Sequence, residues 1–188
     1  MRFIGLLVCL CHIVWAMSPD CDIIKKELEL YQSVSPSGFV FPADLRACGI
    51  VKVNGLSTDD YIQIVRAGAD TLTLYQETYH HESYLKYHTF GLKRNFNNRL
   101  DALEKGANAG FYQINIGALL GLYDWRYEAF AMASHLNYLK KRYWNVKYAI
   151  SFPRIQEMIG EFHQAYPITD KQLTQLITAF RLVYPDLG

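Results

Sequence analysis

The feature that most constrains the fold is a regular alternation of strand-like and helix-like segments from about residue 55 onward. The strand-like segments are rich in β-branched, aromatic and aliphatic side chains, and the helix-like segments carry apolar residues at helical spacing. Short connections join them, so the pattern predicts a parallel sheet with crossover helices. The predicted strands lie within 71–78, 111–121 and 146–152, and the predicted helices within 57–68, 97–110, 125–144 and 169–184.

Helix boundaries are marked by capping residues. Ser57 followed by Asp60, and Thr169 followed by Gln172, fit capping boxes at helix starts. Gly68 and Gly110 fit left-handed residues just past helix ends. In the longest predicted helix, residues 125–144, one stripe carries Ala129, Ala133, Leu136 and Leu139. These signals predict amphipathic helices that cover a sheet.

Two architectures satisfy this pattern: an open doubly wound sheet or a barrel. No G-x-G-x-x-G follows any predicted strand, so a dinucleotide-binding open sheet is disfavoured. In both architectures ligands bind at the carboxyl ends of the strands. The first long strand ends in Gln76, Glu77 and Thr78 without the usual turn residues, which predicts that these side chains reach that edge.

Polar groups or bare backbone follow three predicted strands. Glu77 offers a carboxylate, Arg99 a guanidinium, and Ser151 with Arg154 an anion-binding pair. Gly117 and Gly121 would let a flat ligand contact backbone. Together they predict a site for a small zwitterionic ligand. The structural alternatives are that Glu77 and Arg99 pair with each other, that both glycines serve close helix packing, and that Arg154 is a solvated side chain.

No metal-binding or catalytic residue is assigned. His80, His81 and His88 do not form a recognised metal triad and are expected to be surface or hydrogen-bonded histidines. The 188 residues carry a net charge of +1, which offers no basic field for nucleic acid. No apolar run of about 18 residues is present to span a bilayer. We therefore expect neither a nucleic acid nor a membrane as partner.

The N-terminal region gives two conflicting signals. Arg2 precedes an apolar run over residues 3–16, with Val14-Trp15-Ala16 resembling a cleavage site, as in secretory signals. A short buried strand would give a similar run. The four cysteines match neither paired zinc ligands nor a regular disulfide framework. No cysteine follows Cys48, so the largest segment of the chain has the composition of a cytosolic protein. The cysteines are Cys9, Cys11, Cys21 and Cys48.

Five motifs in order resemble the C-terminal half of the tyrosine lyase of thiamine biosynthesis, 2-iminoacetate synthase, a radical SAM enzyme. Parts of the pattern are also similar to the tyrosine lyase of [FeFe]-hydrogenase assembly. The resemblance covers about residues 54–187 and implies the later strands and helices of a TIM-type (β/α)₈ barrel. The motifs are YQETYH from residue 75, NRLDALEKGANAG from 98, IGALLGLYDWR from 116, LNYLKKRYW from 136 and SFPRI from 151.

The resemblance implies S-adenosyl-L-methionine (SAM) and a [4Fe-4S] cluster as cofactors and tyrosine as substrate. Glu77 would lie beside SAM, Arg99 would bind its methionyl carboxylate, and backbone from Ile116 through Gly117 to Ala118 would contact adenine. Ser151 and Arg154 would hold the amino-acid end of tyrosine. The implied reaction is hydrogen abstraction by a 5′-deoxyadenosyl radical and Cα–Cβ cleavage to 2-iminoacetate and p-cresol, with the thiazole synthase as an implied partner.

Two departures from the family pattern bear on activity. The family holds its cluster with C-x₃-C-x₂-C, and the four cysteines of this chain do not have that spacing, although three thiolates are needed. After Arg154 the family has a further Arg-Pro, where this chain has Gln156-Glu157. We therefore expect the isolated chain to be inactive, with a noncatalytic remnant or an amino-acid-binding module as the alternative.

The first 53 residues do not resemble the barrel segment that should precede residue 54. A shifted start in a damaged or truncated gene would explain both the signal-like run and the cysteines. On that basis we predict a divergent segment over 1–53, a half-barrel over 54–188 and a cytoplasmic location. The remaining alternative is a secreted domain, processed after Ala16.

Overall fold

A computed structural model describes residues 50–52, 55–156 and 165–188. The signal-like run, the four cysteines and Glu157 lie outside these ranges. The chain is an α/β protein with a parallel sheet of four strands in the order β1-β2-β3-β4, as the alternation predicts. The strands are β1 (Ile50–Lys52), β2 (Thr71–Glu77), β3 (Gln113–Ala118) and β4 (Lys147–Ser151).

The sheet extends beyond the predicted strands on the β1 side. β1 pairs with the start of β2, with Ile50 opposite Thr71, and it lies before residue 54. A three-residue strand is too short to give a periodic signal, so sequence patterning did not find it. The division between residues 53 and 54 stays a prediction.

Helices connect the strands and begin at the predicted caps. Ser57 with Asp60 and Thr169 with Gln172 both form capping boxes, while Gly68 and Gly110 have left-handed φ angles of 106° and 98°. The helices are α1 (Thr58–Arg66), α2 (His81–Tyr87), α3 (Phe96–Leu100), α4 (Ala102–Ala109), α5 (Trp125–Arg142) and α6 (Asp170–Val183), with a 3₁₀ turn at Leu92–Arg94.

Two helical details differ from the sequence prediction. The helix predicted over 97–110 is divided into α3 and α4 at Asp101, whose N–H donates to Asn97 O at 2.8 Å. α2 was not predicted because His80 caps it, with its Nδ1 accepting from Ser83 N, and histidine is not among the favoured capping residues.

The core lies between one face of the sheet and the helices. Alternate residues of β2 and β3 point to this face and are almost completely buried, as are the helical side chains packed on them. The strand residues are Leu72, Leu74, Ile114 and Ile116, and the helical residues include Tyr61, Ile64, Leu103, Met132, Leu136, Leu139 and Phe180.

The opposite face of the sheet, here called the polar face, consists of Thr73, Tyr75, Asn115, Gly117, Ala149 and Ser151. Strand register aligns Thr73, Asn115 and Ala149 in one row and Tyr75, Gly117 and Ser151 in the next. Small and polar side chains thus occur where the other face carries aliphatic ones. In the part of the chain that the structure describes, no helix has the length and apolarity needed to cross a bilayer.

Candidate ligand site at the carboxyl ends of the strands

Glu77 ends β2 in a conformation that is uncommon for a residue with a side chain. Its φ is 73°, in the left-handed region, and the register of β2 against β3 shifts between Tyr75 and Glu77. Leu119 N donates to Glu77 O at 2.7 Å and ties the turn to the chain after β3. A left-handed residue other than glycine costs about 1–2 kcal/mol, so surrounding contacts must hold this turn.

The Glu77 carboxylate lies in a buried ion-pair network. Oε1 accepts from Lys93 Nζ at 2.7 Å and from Arg99 Nη2 at 2.9 Å. The Arg99 side chain is 7% exposed and that of Glu77 only 3%, and Arg99 Nε also donates to Tyr75 O at 2.7 Å. Arg99 therefore fixes both the carboxylate and the strand that carries it.

The charges around Glu77 decide its protonation state. Burial by itself would raise the pKa of Glu77, but Arg99 and Lys93 outweigh it and hold the pKa below its ordinary value. Glu77 is thus ionised at neutral pH. The nearby imidazole of His88 has a lowered pKa, because burial disfavours its charged form. The edge therefore carries a fixed carboxylate between two cations.

The expected pairing of Glu77 with Arg99 is present, and it leaves part of the carboxylate available. Both ion pairs use Oε1, and no hydrogen bond from the described residues reaches Oε2. The structural pair and a ligand role are therefore compatible. The role of either residue toward a ligand stays a prediction.

The space beside Gly117 is already filled. A Cβ at this position would lie 2.7 Å from Ser151 O and 2.7 Å from the Tyr75 ring, so only glycine fits between these neighbours. These neighbours belong to the two adjacent strands, β2 and β4, whereas the packing alternative expected a helix beside Gly117. Gly121 has a φ of 116°, which also requires glycine. Backbone contact of Ile116 to Ala118 with adenine stays a prediction.

Ser151 and Arg154 lie at the same edge but are bonded to different partners. Ser151 Oγ and the Asn115 carboxamide lie on the polar face, with Asn115 Nδ2 to Ser151 Oγ at 3.0 Å. Arg154 Nη1 forms an ion pair with Asp170, whose side chain is 85% exposed. The two are brought to one edge because Leu120 pairs with Arg154 beyond the end of β4. Their joint contact with a ligand stays a prediction.

Sequence reasoning missed three polar residues around the edge: Lys93, Asn115 and Glu128. Asn115 stands between Ile114 and Ile116, and a polar residue alternating with aliphatic ones was a usable signal for the polar face. Glu128 is fully buried, four residues before Met132 on the covered stripe of α5. Lys93 gave no signal because its position depends on the 3₁₀ turn.

Comparison with known proteins confirms the predicted resemblance. No family model matches the chain. The 2-iminoacetate synthases of Salmonella typhimurium (strain LT2) and Escherichia coli (strain K12) are 38% and 37% identical to it over 138 residues. The matched region is 73% of this chain and 37% of each relative. The chain thus spans little more than a third of the length of these relatives.

Solved structures give the same relationship. HydG, a maturase of the [FeFe]-hydrogenase, matches with a TM-score of 0.70 at 30% identity, over 74% of this chain and 31% of that one. HydG from Carboxydothermus hydrogenoformans also has a TM-score of 0.70, at 28% identity, over 92% and 39%. Methylornithine synthase, at 17% identity and a TM-score of 0.52, shares the fold alone.

Proposed function

We propose that residues 54–188 are part of a radical SAM tyrosine lyase of the 2-iminoacetate synthase type. In this proposal the parallel sheet is a portion of a (β/α)₈ barrel, and its carboxyl edge binds the amino-acid ends of SAM and tyrosine. The observation that carries it is the buried Glu77–Arg99 pair at the carboxyl end of β2, inside the region that matches the relatives.

The residues present fit the amino-acid end of SAM. A carboxylate can bind its ammonium group, and a guanidinium can bind its carboxylate. Glu77 and Arg99 supply these groups at one edge, and Glu77 Oε2 has no hydrogen bond from the described residues to compete. When bound, SAM supplies the radical chemistry, while this chain supplies binding and orientation.

Tyrosine would be held at the ends of β3 and β4. Ser151 offers a hydroxyl on the polar face, and Arg154, whose backbone pairs with Leu120, offers a guanidinium. The Arg154 guanidinium is paired only with an exposed carboxylate, Asp170, among the ion pairs of the described residues. Because an exposed ion pair is weak, a substrate carboxylate can replace Asp170 at Arg154.

The residues do not fit the iron–sulfur cluster. Cys9, Cys11, Cys21 and Cys48 lack the C-x₃-C-x₂-C spacing that would leave one iron open. We derive no reaction step through the cluster, and the second candidate function is a noncatalytic module that keeps an amino-acid site. A cytoplasmic location and contact with a thiazole synthase belong to the same proposal.

Isothermal titration calorimetry of the full chain with SAM and with tyrosine tests the binding function. We expect heat with both ligands, loss of the tyrosine heat in Arg154→Ala, and loss of the SAM heat in Arg99→Ala. Lys140→Ala is the matched control, because it removes a cation from another ion pair, with Asp186. Absence of heat with either ligand in the unchanged chain would reject the proposal.

A second measurement separates the enzyme from the noncatalytic module. The chain is incubated anaerobically with iron, sulfide, a reductant, SAM and tyrosine, and p-cresol is measured. Binding without p-cresol supports the noncatalytic module, whereas p-cresol release would show that the chain assembles a working cluster despite its cysteine spacing.

A further inference from the structure

Glu128, in the first turn of α5, is a buried carboxylate that the ligand site does not use. It is fully buried, and no lysine or arginine pairs with it among the ion pairs of the described residues. Burial raises the pKa of Glu128, against hydrogen bonds that lower it. A buried charge without a paired cation is costly, so hydrogen bonds must stabilise this carboxylate.

Both oxygens of Glu128 hold the residues that follow Glu77. Thr78 Oγ1 donates to Oε1, and Tyr79 N donates to Oε2 at 2.9 Å. The same Thr78 hydroxyl accepts from His80 N at 3.1 Å. One side chain of α5 thus organises the first three residues beyond β2.

A second contact joins the same segment to the same helix. The Tyr79 hydroxyl lies 2.9 Å from His135 Nδ1, and the two rings meet edge to face with centroids 5.8 Å apart. His135 lies two turns after Glu128 on α5. The segment 78–80 is therefore attached to α5 at two points, directly after the left-handed residue.

We propose that Glu128 is a positioning residue that keeps Glu77 in its left-handed conformation, with its carboxylate facing Arg99 and Lys93. Thr78 follows Glu77 directly, so fixing Thr78 and Tyr79 fixes the peptide that leaves Glu77. Without this anchor, Glu77 relaxes toward an extended conformation, and its carboxylate moves away from Arg99. The value of this positioning for ligand binding rests on the proposed function, but the geometric effect does not.

The test measures the pKa of Glu77 in the full chain by carboxyl ¹³C NMR with labelled glutamate, the signal being assigned from the Glu77→Gln spectrum. Glu128→Ala removes both acceptors, and we expect the pKa of Glu77 to rise toward its ordinary value. A rise of one unit is roughly a tenfold gain in proton affinity. Glu128→Gln can still accept from Tyr79 N and donate to Thr78, so we expect it to restore the low pKa.

Two further variants keep the test decisive. Glu104→Gln alters a carboxylate that accepts from Tyr143, the residue directly after α5, and it should leave the pKa of Glu77 unchanged. Thr78→Val removes the hydroxyl that donates to Glu128 and retains the hydrogen bond from Tyr79 N. It replaces Glu128→Ala in the test if that variant does not fold, and we again expect the pKa of Glu77 to rise. An unchanged pKa of Glu77 in folded Glu128→Ala, or in Thr78→Val where only that variant folds, would overturn the proposal.

This readout is independent of ligand. If the unchanged chain gives no heat with SAM, the proposed function fails while the pKa comparison still decides the role of Glu128. If SAM binds, Glu128→Ala should weaken its binding, because the Glu77 carboxylate would no longer be held beside Arg99. If the pKa of Glu77 rises in Glu128→Ala but the SAM affinity does not change, Glu128 holds the turn at Glu77 without contributing to SAM binding.

Discussion

Arg99 contacts Glu77 both through the carboxylate and through the backbone that precedes it. Nη2 lies 2.9 Å from Glu77 Oε1, and Nε lies 2.7 Å from Tyr75 O. The carboxylate is therefore positioned relative to the strand end on which it lies. These two contacts hold the charge of the carboxylate at one position at the carboxyl end of β2.

Arg99→Ala should destabilise the chain by about 3–5 kcal/mol, because among the described residues it leaves the buried Glu77 carboxylate with Lys93 as its remaining ion-pair partner. Lys140→Ala, which breaks the exposed pair with Asp186, should cost far less, because solvent screens an exposed ion pair. Chemical denaturation with urea measures both. Similar losses in the two variants would show that burial does not distinguish these pairs.

Acid should destabilise the chain through His135. Burial lowers the pKa of His135 to about 4, whereas an unfolded histidine titrates near its ordinary value of 6.5. Between these values the unfolded state binds more protons, so stability falls as the pH falls from 6.5 to 4, at most by about 1.4 kcal/mol per pH unit. The buried His88 has the same sign.

His135→Gln provides the check, since it removes the titrating group and can still bond Tyr79. Free energies of unfolding measured from pH 7 to pH 4 should fall less steeply in this variant. Glu77 contributes in a lower range: its pKa is depressed, so its stabilisation is complete above 4.5 and is lost below that. Equal slopes between pH 6.5 and 4.5 in the two proteins would contradict the assignment to His135.

Gly117→Ala should destabilise the chain by about 2 kcal/mol, because the added Cβ would lie 2.7 Å from the Ser151 carbonyl and from the Tyr75 ring. Gly91→Ala is the comparison: its φ is 78°, yet nothing lies within 4 Å of the new Cβ, so only the backbone cost of about 1 kcal/mol applies. Thermal unfolding of both variants tests this order, and a smaller loss at Gly117 would show that β3 and β4 can separate freely.

Asp170→Asn should raise the affinity for tyrosine if Arg154 binds the substrate carboxylate, because the competing ion pair is removed. An exposed pair of this kind is worth about 1 kcal/mol or less, so a gain of up to roughly fivefold is expected. Asp186→Asn, in the Lys140 pair, is the matched control and should change nothing. Calorimetry showing equal affinity in both variants would place tyrosine away from Arg154.

Local sequence signals determined most of the secondary structure. Alternating strand and helix patterns gave the parallel sheet, and the caps at Ser57 and Thr169 gave the starts of α1 and α6, because capping depends on residues three positions apart. The family resemblance followed from motifs in the same order along the chain. It also placed Glu77 and Arg99 in one predicted site, and the structure brings those two side chains into direct contact.

Tertiary structure decided how those residues are held. The left-handed turn at Glu77, the filled space at Gly117 and the pairing of Arg154 with Asp170 depend on neighbours that are distant in sequence. Glu128 reaches Thr78 across fifty positions, and only the packing of α5 against the end of β2 creates that contact. Sequence patterns report periodicity and local capping, whereas burial and strand register set which charges meet and which backbone angles are tolerated.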